Sequence, residues 1–237
     1  MNALQQNIEQ LVTASKVLAH EGVIDILGHA SVRHPDDPSQ FLMSRSIDPE
    51  LITTDDILPF GKNGEPVRPE DAAHDLFTER FIHAAIYEAR PDIGAVIHSH
   101  SLDIIPYSVS QTPIRPMFVG GAKIGGPVPV WDIRTRFGDT NLLVTSFEQG
   151  RDLARSLGDA RAVLMRGHGG VVAGEQLVGT ALIAISLQAN AALQSKAMAM
   201  GNVQYLSDGE IARGNERPAR KSGRNKIWDY HCRRAGL

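Results

Sequence analysis

The stretch "IGAVIHSHS", residues 93–101, decides the fold, because an apolar run of strand type ends in two histidines. The "RPD" before it favours the end of a helix, so a strand follows a helix here. Side chains alternate between the two faces of a strand, so His98 and His100 project to the same face, about 7 Å apart along the backbone. One metal ion can bridge two such imidazoles. Two strand histidines in ordinary hydrogen bonds have the same spacing.

Helices and strands alternate around this stretch. Apolar residues at helical spacing predict an amphipathic helix that ends before Gly22, and "GKNGEP", residues 61–66, is typical of a turn. These patterns together predict an α/β fold. The predicted helices cover residues 1–20, 69–89, 147–157 and 174–200, and the predicted strands cover residues 31–34, 41–44, 93–100 and 162–165.

Composition limits the classes of function. The 237 residues, 42% of them hydrophobic, suit one domain with a sizeable core. A net charge of −3, with no basic run before the last twenty residues, predicts no nucleic-acid or membrane partner and a small-molecule substrate. Cys232 is the single cysteine, no apolar stretch approaches 18 residues, and "MNALQQNIEQ" lacks the features of a signal peptide. We therefore expect a cytoplasmic protein.

A third histidine and a glutamate complete a candidate metal site. "RGHGG", residues 166–170, places His168 in a glycine-flanked turn directly after a buried strand. Three imidazoles with an open position are typical of a catalytic metal site. Glu79 lies one helical turn before His83, on a helix that must pack near the following strand. Its carboxylate can be a fourth ligand or a proton-transfer group. An exposed glutamate paired with His83 is the alternative.

Several motifs, in this order and at these intervals, resemble the class II aldolase/adducin family, typified by L-fuculose-phosphate aldolase. They are "GHASVRHP", a glutamate four residues before a histidine, "IYEARPDIGAVIHSH" and "RGHGGVVAGE". The resemblance covers about residues 5–212. It implies a three-layer α/β/α sandwich with a central, largely antiparallel sheet, and a homotetramer with active sites between subunits. Residues 1–212 are then the catalytic domain, and the tail, residues 213–237, packs at a subunit interface or active-site rim.

The resemblance also implies the cofactor and its ligands. One divalent metal per subunit is held by His98, His100 and His168. Glu79 is a further ligand in the resting enzyme and the acid or base during turnover. The implied metal is Mn²⁺ or Zn²⁺, and Fe²⁺ or Co²⁺ also suit a histidine-rich site.

The chain departs from the sugar-phosphate members of the family where those bind phosphate. Those members carry a "GN-x-S" turn, a "T-G" after the second strand and a serine pair before the glutamate. Small donors are replaced here by larger side chains and one guanidinium, which does not suit a phosphate dianion. The changes are His29 in "GHAS", Arg45 and Ile47 beside a retained Ser46 in "MSRSID", and Leu76 and Phe77 before Thr78 and Glu79.

The same positions suit a flat acid. Arginine pairs bidentately with a carboxylate, so Arg45 or Arg115 is expected to hold one, with Ser44 and Ser46 nearby and Phe77 as an apolar wall. Each arginine is equally consistent with an ordinary surface residue. "FLMSRS", "VIHSHS", "IIPYSV" and "IRPMF" look most like the decarboxylase branch of the family. That branch acts on hydroxylated aromatic or pyridine dicarboxylates and on carboxylated muconic semialdehydes.

The resemblance therefore predicts a metal-dependent carbon–carbon lyase. The favoured reaction is decarboxylation of an ortho-hydroxy or β-oxo acid through a metal-stabilised enolate, with Glu79 or His29 protonating the carbanion. A sugar-phosphate aldolase or epimerase and a hydroxy-oxo acid aldolase that releases pyruvate are alternatives. A binding domain like the adducin head is a third alternative, against which the retained histidines argue.

Overall fold

The computed structural model describes residues 2–216 and 225–237. The strands are β1 (His29–Arg33), β2 (Gln40–Ser44), β3 (Ile57–Gly61), β4 (Ala95–Ser99), β5 (Val130–Trp131), β6 (Ala162–Met165) and β7 (Gly169–Gly174). The helices are α1 (Ala3–His20), α2 (Arg80–Ala89), α3 (Ile105–Val109), α4 (Arg134–Phe137), α5 (Phe147–Leu157), α6 (Leu177–Met200), α7 (Asp208–Asn215) and α8 (Lys226–Arg234). Short 3₁₀ helices cover Thr54–Asp56, Pro69–Ala73 and Gly121–Ile124.

The seven strands form one sheet in the order β3-β2-β1-β4-β7-β6-β5. Neighbours run antiparallel, except that β5 and β6 are parallel. The predicted strand with the two histidines is β4, in the centre of the sheet. There it pairs with β1 so that His98 lies opposite His29. The strands β3, β5 and β7 were not predicted, and β3 pairs with β2 as a third strand of the meander.

Helices cover both faces of the sheet, which confirms the predicted three-layer sandwich. Ala95 and Ile97 of β4 belong to a core cluster that includes residues of α1 and α6. Val96, between them, belongs to a second cluster with residues of α2 and α5 on the opposite face. Because side chains alternate along a strand, His98 projects to the same face as Val96, beneath α2. The apolar alternation of β4 therefore decides which layer covers the histidines.

The predicted helix over 69–89 is wrong in its first half. A 3₁₀ helix occupies Pro69–Ala73, and α2 begins only at Arg80, with Glu79 as its N-cap. In the segment between these two helices, the carbonyl of Asp75 accepts a hydrogen bond of 2.7 Å from the backbone N–H of Ser46, and Phe77 is buried. This bond ties the segment to the end of β2 and away from helical geometry. Tertiary contact thus overrides the local helical pattern.

The C-terminal helix α8 packs on α1 of the same chain. Trp228 is partly buried against the core cluster. His231 and Arg234 bind the carboxylate of Glu21 at 2.9 and 3.1 Å, while Tyr230 is exposed. Residues 217–224 of the tail lie outside the described residues. The division of the chain at residue 212 stays a prediction.

Within the described part of the chain, α6 is long and apolar enough to cross a membrane by length and composition. The sequence-based expectation that no such stretch exists is therefore wrong. More than half of the most apolar window of α6 is buried inside the protein, as in the core helix of a sandwich. Its packing against α1 and the sheet accounts for its apolar character.

Candidate metal centre

The centre of the site is the pair of histidines at the end of β4. His98 is fully buried, and His100 directly follows the last residue of the strand. Their Nε2 atoms lie 3.0 Å apart. The predicted projection of both side chains to one face is confirmed by this contact.

The turn between β6 and β7 brings His168 to the same point. Gly167 has φ +67°, a conformation that L side chains rarely adopt, and so permits the tight turn. Gly169 lies so close to β4 that a Cβ there would stand 2.1 Å from the carbonyl oxygen of Ser99. This close approach places the Nε2 atom of His168 3.0 Å from that of His100.

Glu79 approaches from α2. Its Oε2 atom lies 3.1 Å from Nε2 of His98 and 3.3 Å from Nε2 of His168. Its Oε1 atom accepts a hydrogen bond of 2.9 Å from the backbone N–H of Val144, which holds the carboxylate in place. Burial alone would raise the pKa of Glu79, but the adjacent His98 and His168 outweigh burial and hold the pKa below its ordinary value. Glu79 is therefore a buried, ionised group rather than an exposed glutamate.

The hydrogen-bond partners of the three imidazoles show what the cluster can hold. Each Nδ1 atom faces an acceptor: Gly170 O at 3.2 Å from His98, Asp25 Oδ1 at 2.9 Å from His100, and Leu142 O at 2.9 Å from His168. The ring hydrogens therefore sit on Nδ1, and three Nε2 lone pairs converge with the carboxylate of Glu79.

A divalent cation fits this set of donors. Four of the six pairs of donor atoms are 3.0 to 3.3 Å apart, and all four atoms lie within 4.8 Å of one another. A tetrahedral ion with bonds of about 2.0 Å separates its ligand atoms by about 3.3 Å. With the ring hydrogens on Nδ1, four acceptors converge, and either a proton or a cation between them offsets their repulsion; the residues predicted as ligands therefore suit such an ion. They are Glu79, His98, His100 and His168.

Asp25 orients one ligand. It accepts from Nδ1 of His100 and from the backbone N–H groups of Leu27 and Gly28. We expect Asp25→Asn to weaken metal binding about 10- to 100-fold, because a neutral amide no longer increases the basicity of the imidazole. Metal titration by calorimetry measures this. The control is Asp37→Asn, which changes an aspartate with the same kind of backbone contact, to Ser39 N–H, in the turn between β1 and β2 at the opposite end of β1 from His29. Equal affinity in wild type and Asp25→Asn would contradict the expectation.

A cavity of about 400 Å³ opens over the cluster. Apolar atoms form most of the exposed wall surface, although more of the lining residues are polar, and among the described residues no lysine or arginine lines it. The predicted site residues His29, Phe77 and Ser46 do line it, whereas Ser44 is buried in β2 and does not. The apolar lining residues are Leu27, Leu76, Phe77 and Leu143, and the polar ones are Asp25, His29, Ser46, Thr78, Glu79, His100 and His168.

Neither predicted arginine reaches the cavity of this chain. The Nε atom of Arg45 lies 2.7 Å from the carboxylate of Asp56, which is nearly buried. The guanidinium of Arg115 stacks over Tyr205, 4.3 Å from the ring centroid. Neither guanidinium lines the cavity within this chain, and the expected arginine contact with substrate stays a prediction.

Sequence reasoning missed the surroundings of His29. Nδ1 of His29 lies 2.7 Å from Nε2 of His83, which was considered only as a partner of Glu79. His83 in turn contacts Ser31, which contacts Tyr87. His83 and Tyr87 are four residues apart on the buried face of α2, a helical signal that was available in the sequence. Asp25 carried no comparable signal.

The sheet is largely antiparallel and lies between two helical layers, and a Glu/His₃ cluster lies under a cavity. These features place the chain among α/β proteins with a candidate catalytic metal site. The family model of the Class II Aldolase and Adducin N-terminal domain matches residues 9–195. The chain therefore belongs to this family, as its motifs predicted.

Relatives within the family include decarboxylases. The chain is 28% identical to the decarboxylase tropJ of Talaromyces stipitatus over 255 residues, which covers 97% of this chain and 95% of that protein. It is 28% identical to the 3,4-dihydroxyphthalate decarboxylase of Arthrobacter keyseri, over 86% of this chain and 84% of that protein. The L-fuculose 1-phosphate aldolase of Glaciozyma antarctica has the same fold, with a TM-score of 0.73, 21% identity, and coverage of 98% and 87%. The predicted resemblance to the decarboxylase branch is confirmed.

Proposed function

We propose that this protein is a divalent-metal-dependent carboxy-lyase. Its substrate is an ortho-hydroxy aromatic dicarboxylate or a carboxylated ring-fission product. The observation that carries the proposal is the combination of a Glu/His₃ cluster with a cavity of four large apolar side chains and no lining lysine or arginine in the described chain. Such a cavity suits a flat ring bound through its oxygen atoms at the cluster. It offers little to a phosphate dianion, which argues against a sugar-phosphate substrate.

The reaction breaks the bond between a ring carbon and its carboxylate. The electron pair stays on the ring and spreads onto the neighbouring oxygen, CO₂ leaves, and a proton is added to the carbon. A divalent cation in the cluster supplies a Lewis acid for the developing negative charge, which contributes several kcal/mol. No aldehyde is released, so no further acid is needed to protonate one.

The residues of the chain bind, orient and transfer the proton. Phe77 lines the cavity and offers a flat apolar wall against which a ring can stack. Ser46 and Thr78 offer hydroxyl groups for the substrate's second carboxylate. The ionised Glu79, held by Val144, takes up the proton of the substrate's hydroxyl group and returns it to the ring carbon after CO₂ leaves; His29 is the second candidate for this transfer.

The proposal extends to metal, assembly and location. Three imidazoles and one carboxylate suit Zn²⁺ or Mn²⁺, with Fe²⁺ or Co²⁺ as further candidates, one ion per subunit. We propose a homotetramer with active sites between subunits, because large apolar side chains are exposed at cavity-lining positions and within two residues of them. We further propose a cytoplasmic protein without nucleic-acid or membrane partners. The exposed apolar residues are Ile26, Leu27, Leu102 and Leu143.

Release of CO₂ tests the proposed function. The purified, metal-loaded protein is offered 3,4-dihydroxyphthalate and other ortho-hydroxy aromatic dicarboxylates, carboxylated ring-fission products, and phthalate as the control without a hydroxyl group. We expect release from hydroxylated substrates, loss of release with a chelator, recovery on adding metal, and no release from phthalate. Formation of pyruvate or an aldehyde from hydroxy-oxo acids, with no CO₂ from the panel, would instead identify an aldolase.

A further inference from the structure

A chain of four polar side chains runs from the cavity into the protein. His29 lines the cavity, and its Nδ1 atom lies 2.7 Å from Nε2 of His83. Nδ1 of His83 lies 2.6 Å from Oγ of Ser31, and this Oγ lies 2.8 Å from the hydroxyl of Tyr87. The contacts link β1 to α2 across the face of the sheet that carries His98. Three consecutive short contacts between buried polar groups form a hydrogen-bond network.

The network lies in an environment that favours neutral side chains. His83 and Ser31 are fully buried, and His29 and Tyr87 nearly so. Burial lowers the pKa of His83 to about 3, and the 2.7 Å between the ring nitrogens of His83 and His29 leaves room for only one hydrogen between them. Burial also raises the pKa of Tyr87, so its phenol keeps its hydrogen. Each contact in the chain is then one hydrogen shared between one donor and one acceptor.

The far end of the chain decides the direction of every hydrogen bond. Among the described residues, Ser31 Oγ is the side-chain partner that the Tyr87 hydroxyl contacts, so Tyr87 donates to Ser31. Ser31 then donates to Nδ1 of His83, and the hydrogen of His83 resides on Nε2 and is donated to Nδ1 of His29. The opposite direction would leave the buried hydroxyl hydrogen of Tyr87 without this acceptor, which is unfavourable.

The remaining hydrogen of His29 must therefore be on Nε2. Nε2 of His29 has no hydrogen-bond partner among the described residues. It is also not one of their fully buried polar atoms that lack a partner, so it is exposed to the cavity that His29 lines. The ring of His29 lies between the wall and the cluster, with centroid distances of 4.4 Å to Phe77 and 5.2 Å to His98. A ring that stacks on Phe77 and approaches the cluster passes beside this N–H group.

We propose that His83 is a positioning residue that, with Ser31 and Tyr87, fixes His29 as the Nε2–H tautomer and so presents a neutral hydrogen-bond donor to a substrate oxygen. A neutral imidazole has no spare proton, so His29 binds and polarises a carboxylate or ring oxygen, and proton transfer falls to Glu79. The contact with substrate rests on the proposed function. The tautomer does not, since it follows from the hydrogen bonds of the protein alone.

Nitrogen NMR of ¹⁵N-histidine-labelled protein tests the tautomer, both metal-free and loaded with zinc. The His29 signals are assigned by their loss in His29→Asn. We expect a protonated Nε2 and an unprotonated Nδ1 in the wild type. Ser31→Ala removes the donor to His83, and Tyr87→Phe removes the group that decides the direction, so a mixture of tautomers is expected in each. Tyr107→Phe is the matched control, because Tyr107 is buried elsewhere, against Ser195 and the carbonyl of Ala191.

Two substitutions of His83 test its effect on the reaction. His83→Gln retains an N–H group that can donate to His29, whereas His83→Leu has none. We expect His83→Leu to lower kcat/KM about 10- to 100-fold, below the range for removal of a direct transition-state donor, and His83→Gln to restore most of it. Equal loss in both variants would contradict positioning through a hydrogen bond.

The NMR result separates this inference from the proposed function. A wild-type His29 protonated on Nδ1, or on both nitrogens, would overturn the inference even if CO₂ release were found, and it requires no variant to fold. An Nε2–H tautomer that becomes mixed in Ser31→Ala supports the positioning of His29 even if the substrate proves to be another oxygen-bearing acid.

Discussion

Glu79→Gln is expected to retain the metal and to lower turnover about 10²- to 10⁴-fold, the range for loss of a general acid or base. Glutamine has nearly the shape of glutamate, and its oxygen can still accept from the backbone N–H of Val144. His98, His100 and His168 remain as three nitrogen ligands, which suffice for a catalytic type of site. The amide, however, cannot take up and return a proton.

Metal analysis and CO₂ release measured on the same preparation test this expectation. The control is Glu88→Gln in the same helix, where Glu88 forms an exposed ion pair with Arg151 at 2.7 Å. That variant should match the wild type in both measurements. If Glu79→Gln is active, Glu79 is not the proton-transfer group. If it is inactive and has lost the metal, the loss of activity is explained by the loss of a ligand.

His168→Ala is expected to abolish metal binding and turnover together. The change removes one of three converging Nε2 atoms, so the loss of affinity should exceed the roughly 10- to 100-fold expected for an outer contact such as Asp25. His168 lies in the turn between β6 and β7 and not in the apolar core, so the fold should persist. A metal that binds only the folded state stabilises it by about 2.7 kcal/mol at 100 times its dissociation constant.

Thermal unfolding with and without metal therefore distinguishes loss of the site from loss of the fold. The wild type should gain stability on adding zinc, and His168→Ala should gain none while still unfolding cooperatively. His20→Ala, at the exposed end of α1, is the control and should respond as the wild type does. A variant that keeps the metal-dependent gain would exclude His168 as a ligand.

The candidate metal ligands at the end of β4 and after β6 were the most predictable part of the site. His98 and His100 are two residues apart on a strand, and the period of two alone places them on one face. His168 follows a buried strand in a glycine-flanked turn, and only a few backbone conformations are compatible with that pattern. The three-layer sandwich followed from the family resemblance, whereas the local rules alone predicted only an alternation of helices and strands.

Glu79 was predicted with the right partners but in the wrong local structure. The helical pattern over 69–89 is real in the sequence, yet the chain between Ala73 and Arg80 is drawn to the end of β2 by the bond from Ser46 to Asp75. As a result Glu79 caps α2 instead of lying inside it, and His83, one turn later, points to His29. A sequence pattern predicts the face of a helix on which a residue lies, but it does not predict which distant backbone group forms a hydrogen bond with that segment.

The sequence by itself determined the alternation of helices and strands, the three histidines and the apolar side chain of Phe77, because these depend on short periodicities and on residue type, while the layers of the fold were predicted through the family motifs. Only the tertiary structure decided the partners of the charged and polar side chains. Arg45 bonds to Asp56 and Arg115 stacks on Tyr205, so neither enters the cavity, while His83 supports His29. Long polar side chains pair with whichever complementary group the fold brings nearest, and that choice depends on distances across elements that no local spacing encodes.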